Sequence, residues 1–174
     1  MIPKNKKISN TIEKVAFGGG CHWCTEAVFD ALKGVNLVEQ GWVSSSSQEA
    51  TTLSEAVIVH FNCSNISLET LIEIHLFTHN STSNHAFRKK YRSAIYTFSN
   101  SQHNRAKAIL TQKQLLFKKP LITKVYPFHK FKLNEEKFLN YYKQNPSKPF
   151  CQSYIEPKLK MLLEQYREFS KTPI

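Results

Sequence analysis

Cys21 and Cys24 stand three residues apart, directly after the glycine run Gly18-Gly19-Gly20. A thiol is a nucleophile only as its thiolate, and the partial positive charge at a helix N-terminus favours that form. The glycines allow a close backbone approach and leave free N–H groups near the sulfur. Trp23 adds an apolar wall beside them. Spacing alone fits a buried structural cysteine at a strand-to-helix turn as well as it fits a reactive one. A structural zinc site needs a second ligand pair at short spacing, whereas Cys63 and Cys151 are isolated and His79 and His85 are six apart in a polar loop. The pattern favours thiol redox chemistry over metal binding.

Glu55 is the second candidate. It shares a strand face with Leu53, Val57, Val59 and Phe61, a face patterned for the core. A carboxyl group in an apolar setting has its charged form destabilised and becomes a proton donor near neutral pH. A position at an exposed strand end would instead let it reach solvent.

The elements that must position these residues follow from hydrophobic period and turn signals. Lys14–Gly18 reads as a buried strand, 21–33 as a helix entered at Cys21 and ended by Gly34, and Val35–Val43 and Leu53–Phe61 as two strands. Ser67 caps a helix through Thr78, and the polar loop His79–Lys90 leads to a strand over Tyr91–Phe98. Ser99–Lys118 reads as a helix, Leu121–Tyr126 as a strand, Asn134–Gln144 as a short helix capped by Asn134, and Glu156–Ser170 as a terminal amphipathic helix. The order β-α-β-β-α-β predicts an α+β domain with a ferredoxin-like split β-α-β core, an antiparallel or mixed sheet, and extra C-terminal helices. One domain over 1–174, with a polar arm at 1–12, accounts for the whole length.

Composition narrows the classes further. Of 174 residues, 41% are hydrophobic and 21% charged, which excludes disordered and fibrous chains. No apolar run approaches the ~20 residues of a membrane span, and the polar start has no secretory h-region, so a cytosolic location is expected. The net charge of +11 would suggest an acidic partner, but residues 1–87 balance at −3 and residues 88–174 at +14. The candidate thiols and acid lie in the acidic half. No nucleic-acid-binding motif accompanies the basic half, whose lysines, together with a patch at Arg88, Lys89, Lys90 and Arg92, read as solvated surface.

Phe17-Gly-Gly-Gly-Cys-His-Trp-Cys-Thr-Glu26 resembles the FGGGCFWGxE signature of the A-type peptide methionine sulfoxide reductases, with His22 for a Phe and Cys24 for a Gly. In the same order, Ser54-Glu-Ala-Val57 resembles the AEAV segment, Ile66-Ser-Leu68 the start of the next helix, and Tyr91-Arg-Ser-Ala-Ile-Tyr96 the YRSAIY strand. Tyr141-Tyr-Lys-Gln-Asn-Pro146, Pro149-Phe-Cys-Gln152 and Ile155-Glu-Pro-Lys158 resemble the YYKKNPxxPYCQxxIxPK tail.

The resemblance implies reduction of methionine S-sulfoxide, free or in proteins, through a cysteine sulfenic acid and an intramolecular disulfide. It implies Cys21 as nucleophile, Glu55 as acid, Tyr91 as a hydrogen-bond donor to the sulfoxide oxygen, and His22 and Trp23 as walls of the methyl pocket. Cys151 matches the family's resolving cysteine, while Cys24 is a second candidate favoured by proximity. Glu26 matches a family position that caps or braces the helix. No prosthetic cofactor or metal is implied. The implied partners are a methionine sulfoxide substrate and an external dithiol such as thioredoxin, with the chain a monomer.

The chain departs from the pattern in three places. Ser44–Thr52 holds no tyrosine, Ala86 stands where the family has an aspartate (with Asn84 and His85 beside it), and Phe138-Leu139 replaces a His-Gln pair. Two other readings follow from these losses. The Cys pair could serve general thiol-disulfide exchange, or the chain could be a non-catalytic binding module whose basic half holds an acidic partner.

Overall fold

The strand read at Leu53–Phe61 runs from Ser54 to Asn62 in the computed structural model, which describes residues 11–171. Of the expected polar arm, residues 1–10 lie outside the described residues. The chain proceeds β1 (Ile12–Gly18), α1 (His22–Asp30), β2 (Val35–Ser45), β3 (Ser54–Asn62), α2 (Leu68–Thr78), β4 (Ala94–Thr97), α3 (Asn100–Lys113), β5 (Lys124–Leu133), α4 (Tyr141–Gln144) and α5 (Glu156–Gln165). Ser67 caps α2 by accepting the Thr70 N–H at 3.0 Å, and Ser99 caps α3 by accepting that of Gln102 at 3.1 Å. Gly34 ends the first helical segment at φ +87°, a left-handed conformation that a side chain would strain. Among the described residues no helix is long and apolar enough to cross a membrane.

The first four strands lie in the order β4-β1-β3-β2, each antiparallel to its neighbour, with β1 and β2 flanking β3. β5 then pairs antiparallel with β2 and parallel with β4, and the mixed sheet closes on itself. The sequence reading predicts an antiparallel or mixed sheet and ends its last strand at Tyr126. The missed segment carries Pro127 and alternating lysines, which read as a loop. Pro127 is tolerated because it stands opposite Thr97, the last residue of β4, where the ladder ends.

Closure makes both faces of the central strands buried. Val15, Phe17, Val57, Val59, Phe61 and Ile95 face outward against Phe29, Leu32, Leu71 and Ile72 of the helices. Ala16, Ala56 and Ala94 face inward with Tyr96 and Tyr126. A closed sheet of so few strands has a narrow interior, so alanines leave the room that the tyrosine rings fill. At Gly41 the crossing is closer still, since a Cβ there would stand 2.0 Å from the Lys132 carbonyl oxygen.

Four further boundaries differ from the sequence reading. Leu53 is 45% exposed and precedes the strand. Tyr91 lies in a turn, and the strand behind it begins only at Ala94. Asn134 caps no helix: its side chain is buried, donating to Gln40 Oε1 at 2.6 Å and to His22 Nε2 at 3.3 Å. The terminal helix stops at Gln165 and is preceded by a π-turn over Cys151–Ile155.

Candidate active site

The last residue of β1, Gly18, pairs with Ala56 near the start of β3 and with Ala94 at the start of β4. The Gly19-Gly20-Cys21 turn therefore emerges where the two neighbouring strands begin. Cys21 is the N-cap of α1, half-buried, and Cys24 lies one turn inward with 8% exposure. The Cys21 carbonyl accepts the N–H groups of Cys24 and Thr25 at 3.1 and 3.2 Å.

The His22 N–H, left free by the helix start, donates to Glu55 Oε2 at 3.1 Å. Glu55 is only 7% exposed, so the buried reading of this carboxylate holds. Lys90 Nζ stands 3.8 Å from Oε1 and His22 Nε2 3.9 Å from Oε2. Nδ1 of His22 donates to the Gly41 carbonyl at 2.9 Å, which leaves Nε2 as the acceptor for Asn134. Burial pushes the His22 pKa below its ordinary value, in keeping with a neutral ring.

The neighbouring sulfur lowers the pKa of Cys24 and raises that of Cys21, and burial opposes charge on both. The pair thus yields its first proton more readily than its second. The Trp23 backbone N–H favours charge on Cys21. Cys151, fully buried, packs in the same cluster with Ile155 and Tyr141. Its pKa is raised by burial and by the neighbouring Cys24. Cys63 is exposed and 3.2 Å from Glu13 Oε1, away from the site.

Cys21, Cys24 and Tyr91 line a cavity of about 300 Å³, together with His79, Phe87 and Lys158. Glu55, His22 and Trp23 are not among its lining residues; they sit on the other side of the Cys21 turn. The Trp23 ring stacks on Tyr141 at 3.9 Å, with Phe138 at 5.8 Å and Phe150 edge-on at 5.5 Å. Its Nε1 is buried without a hydrogen-bond partner among the described residues. Glu26 braces α1 against α4, its Oε1 accepting the Tyr141 N–H at 3.1 Å. Among the described residues no three His, Cys, Asp or Glu side chains are grouped to hold a metal ion.

Several positioning residues had no sequence signal. Arg88, read as part of a solvated patch, instead donates to the carbonyls of Gly19 at 2.8 Å, Tyr91 at 3.0 Å and Ser83 at 2.8 Å, and to that of Asn80. It ties the glycine turn to the loop that carries Tyr91. Arg92 likewise reaches Thr52 and the Tyr96 hydroxyl. Ser54 Oγ donates to the Lys90 carbonyl at 2.9 Å and accepts the Arg92 N–H at 2.8 Å, fixing Tyr91 between them. A lysine or arginine in a basic run looks solvated in sequence because its carbonyl partners come from elsewhere in the fold.

Beneath the glycine turn, His75 Nε2 donates to the Gly18 carbonyl at 2.8 Å, and the His79 ring stacks on it at 4.1 Å. His79 Nδ1 donates to the His75 carbonyl and Nε2 accepts from Ser93 Oγ at 2.7 Å. Gly19 is required here, because a Cβ would lie 2.4 Å from the His79 ring. Burial lowers both histidines, His75 well below its ordinary value and His79 to about 3. The unfolded chain then binds protons that the folded chain refuses, so this stability is complete above pH ~6.5 and drains away as pH falls toward about 3. At pH ~5 the loss from His79 alone is about 1–2 kcal/mol. Urea melts should show the midpoint falling from pH 7 to pH 5, with a smaller drop in His79→Gln; equal drops in both would contradict this origin.

The family model described as "Peptide methionine sulfoxide reductase" matches residues 13–171. The peptide methionine sulfoxide reductase MsrA of Deinococcus radiodurans is 32% identical over 169 residues, covering 88% of this chain and 82% of that protein. Mxr1 from Saccharomyces cerevisiae in its reduced form superimposes with a TM-score of 0.70 at 19% identity, over 83% of this chain and 91% of that one. The same protein in complex with Trx2 gives 0.60 at 18% identity, over 80% and 91%. With a family model matching residues 13–171, nearly every described residue, the chain belongs to the peptide methionine sulfoxide reductase family.

Proposed function

We propose that this chain reduces methionine S-sulfoxide, free or within proteins, to methionine, with Cys21 as nucleophile and Glu55 as proton donor. The observation that carries the reading is the meeting of Cys21 and the buried Glu55 carboxylate at one helix start, bridged by the His22 N–H. A sulfoxide sulfur becomes a good electrophile as its oxygen is protonated, so thiolate and acid are needed together. The Cys21 thiolate attacks the sulfur and the Glu55 proton passes to the oxygen. The hydroxyl so formed then passes from the substrate sulfur to Sγ of Cys21 as the new bond between the two sulfurs breaks, methionine leaves, and Cys21 is left as a sulfenic acid. Tyr91, on the cavity rim, donates to the sulfoxide oxygen. Trp23, half-buried, offers the apolar surface for the methyl group, while His22 is closed in by its hydrogen bonds and braces Glu55 from behind.

Cys24 then attacks the sulfenic sulfur, water departs, and a Cys21–Cys24 disulfide remains. An external dithiol protein of the thioredoxin kind restores both thiols by exchange; the capture of Mxr1 with Trx2 supports this choice. Such a cycle suits the cytosol, where dithiol proteins stay reduced. The cycle draws on side chains of one chain, on a core we read as a ferredoxin-like unit closed by β5.

Purified protein with dithiothreitol and methionine S-sulfoxide should release methionine. A folded chain that exchanges disulfides but leaves the sulfoxide untouched would replace this reading with general thiol-disulfide exchange. One equivalent of substrate without reductant should leave a Cys21–Cys24 disulfide on peptide mapping, and a Cys21–Cys151 disulfide would transfer the resolving role to Cys151.

A further inference from the structure

Among the described residues, the cavity over the thiol pair is lined by no carboxylate and by a single ammonium group, that of Lys158. We propose that Lys158 supplies the counter-charge that holds the Cys21–Cys24 pair as a thiolate, a role that rests on the same site as the proposed reaction. α5 begins Glu156-Pro157-Lys158, and this first turn brings the lysine beside the N-terminal turn of α1. Its stem is half-buried and its Nζ donates to the Thr78 carbonyl at the end of α2, where the helix dipole favours a cation. No carboxylate forms an ion pair with it among the described residues. The charges left to answer it are the two sulfurs, and its interaction with both favours the ammonium form against the pull of burial. In return it favours charge on Cys24.

The other groups facing the pair do not supply this charge. His75 and His79, from α2, are held neutral by burial. Arg88 turns its guanidinium onto backbone carbonyls. Tyr91, His85 and Tyr154 line the same cavity, Glu55 opposes charge on both sulfurs, and Cys24 opposes charge on Cys151. Lys90, whose ammonium also meets the charge on Cys21, is exposed, where water screens it, and pairs with Glu55 at 3.8 Å.

The test is the pH profile of alkylation of Cys21 and Cys24 by iodoacetamide, read by mass spectrometry without any sulfoxide, so that its result is independent of turnover. Lys158→Met should shift the profile upward by about one pH unit, which is about tenfold slower alkylation near neutral pH. Lys158→Arg should restore it, since the charge rather than the packing of the stem is what acts. An unshifted profile in folded Lys158→Met, or a shift in Lys158→Arg as large as that in Lys158→Met, would overturn the proposal. The unaltered chain gives a second reading. The side-chain NMR resonances of Lys158 should move at the pH where the thiolate's ultraviolet absorbance rises, and resonances that stay still through that step would equally overturn it.

Discussion

Replacement of Cys21 by serine should reduce turnover of methionine S-sulfoxide to the level of dithiothreitol alone. Serine keeps the size and helix-capping capacity of the position, so the fold is expected to survive. Its hydroxyl, however, is a weak nucleophile without an adjacent base and has no counterpart of the sulfenic acid that carries the oxygen away. Cys24 is not a substitute: it lies one turn inward at 8% exposure, packed with Cys151 and Ile155. The measurement is methionine release under excess dithiothreitol, compared with Cys24→Ser. With dithiothreitol able to reduce the sulfenic acid directly, Cys24→Ser should retain turnover that Cys21→Ser lacks. The comparison is pointed because Cys24 is the sulfur whose pKa the neighbouring thiol lowers. Turnover kept by Cys21→Ser and lost by Cys24→Ser would assign the attack to Cys24.

Glu55→Gln should lower turnover by about 10²- to 10⁴-fold, the usual contribution of a positioned general acid. The amide oxygen can still accept the His22 N–H that now bonds Oε2 at 3.1 Å, so the helix start stays in place. What disappears is the proton for the sulfoxide oxygen. A second measurement moves in the other direction. The Glu55 charge raises the pKa of Cys21, so its removal should leave alkylation of the thiols by iodoacetamide as fast or faster. Slow turnover with undiminished alkylation is the signature of a lost acid. Loss of both would indicate a collapsed turn, and turnover within a few-fold of the unaltered chain would remove Glu55 from the proton-donating role.

The sequence was most informative where chemistry and local structure coincide. Gly18-Gly19-Gly20-Cys21 is both a strand-to-helix turn and a thiol at a helix start, and α1 begins there as read. Glu55 stood out because a carboxylate interrupted an apolar face, and the strand does bury it. Ser67 was legible as a cap because its partner is three residues away. Such features depend on contacts between near neighbours or on a period of two or 3.6 residues, both of which are written along the chain.

Tertiary structure alone decided the rest. That β5 continues through Pro127 to Leu133 and closes the sheet depends on what stands opposite each residue, since a proline is acceptable only where no ladder bond is required. The turn carrying Tyr91 is held by Ser54 and Arg88, 37 residues back and three residues back along the chain, and only one of those distances is local. Asn134 left its expected helix cap for a buried hydrogen bond with His22, 112 residues away. Lys158 looked like one more surface lysine until α5 packed against α1 and brought it to the cavity that the thiols line. Sequence by itself determined which residues have the chemistry, because side-chain type and short-range period are local properties. The charge and hydrogen bonds that surround those residues come from segments joined only by folding, so their reactivity belongs to the tertiary structure.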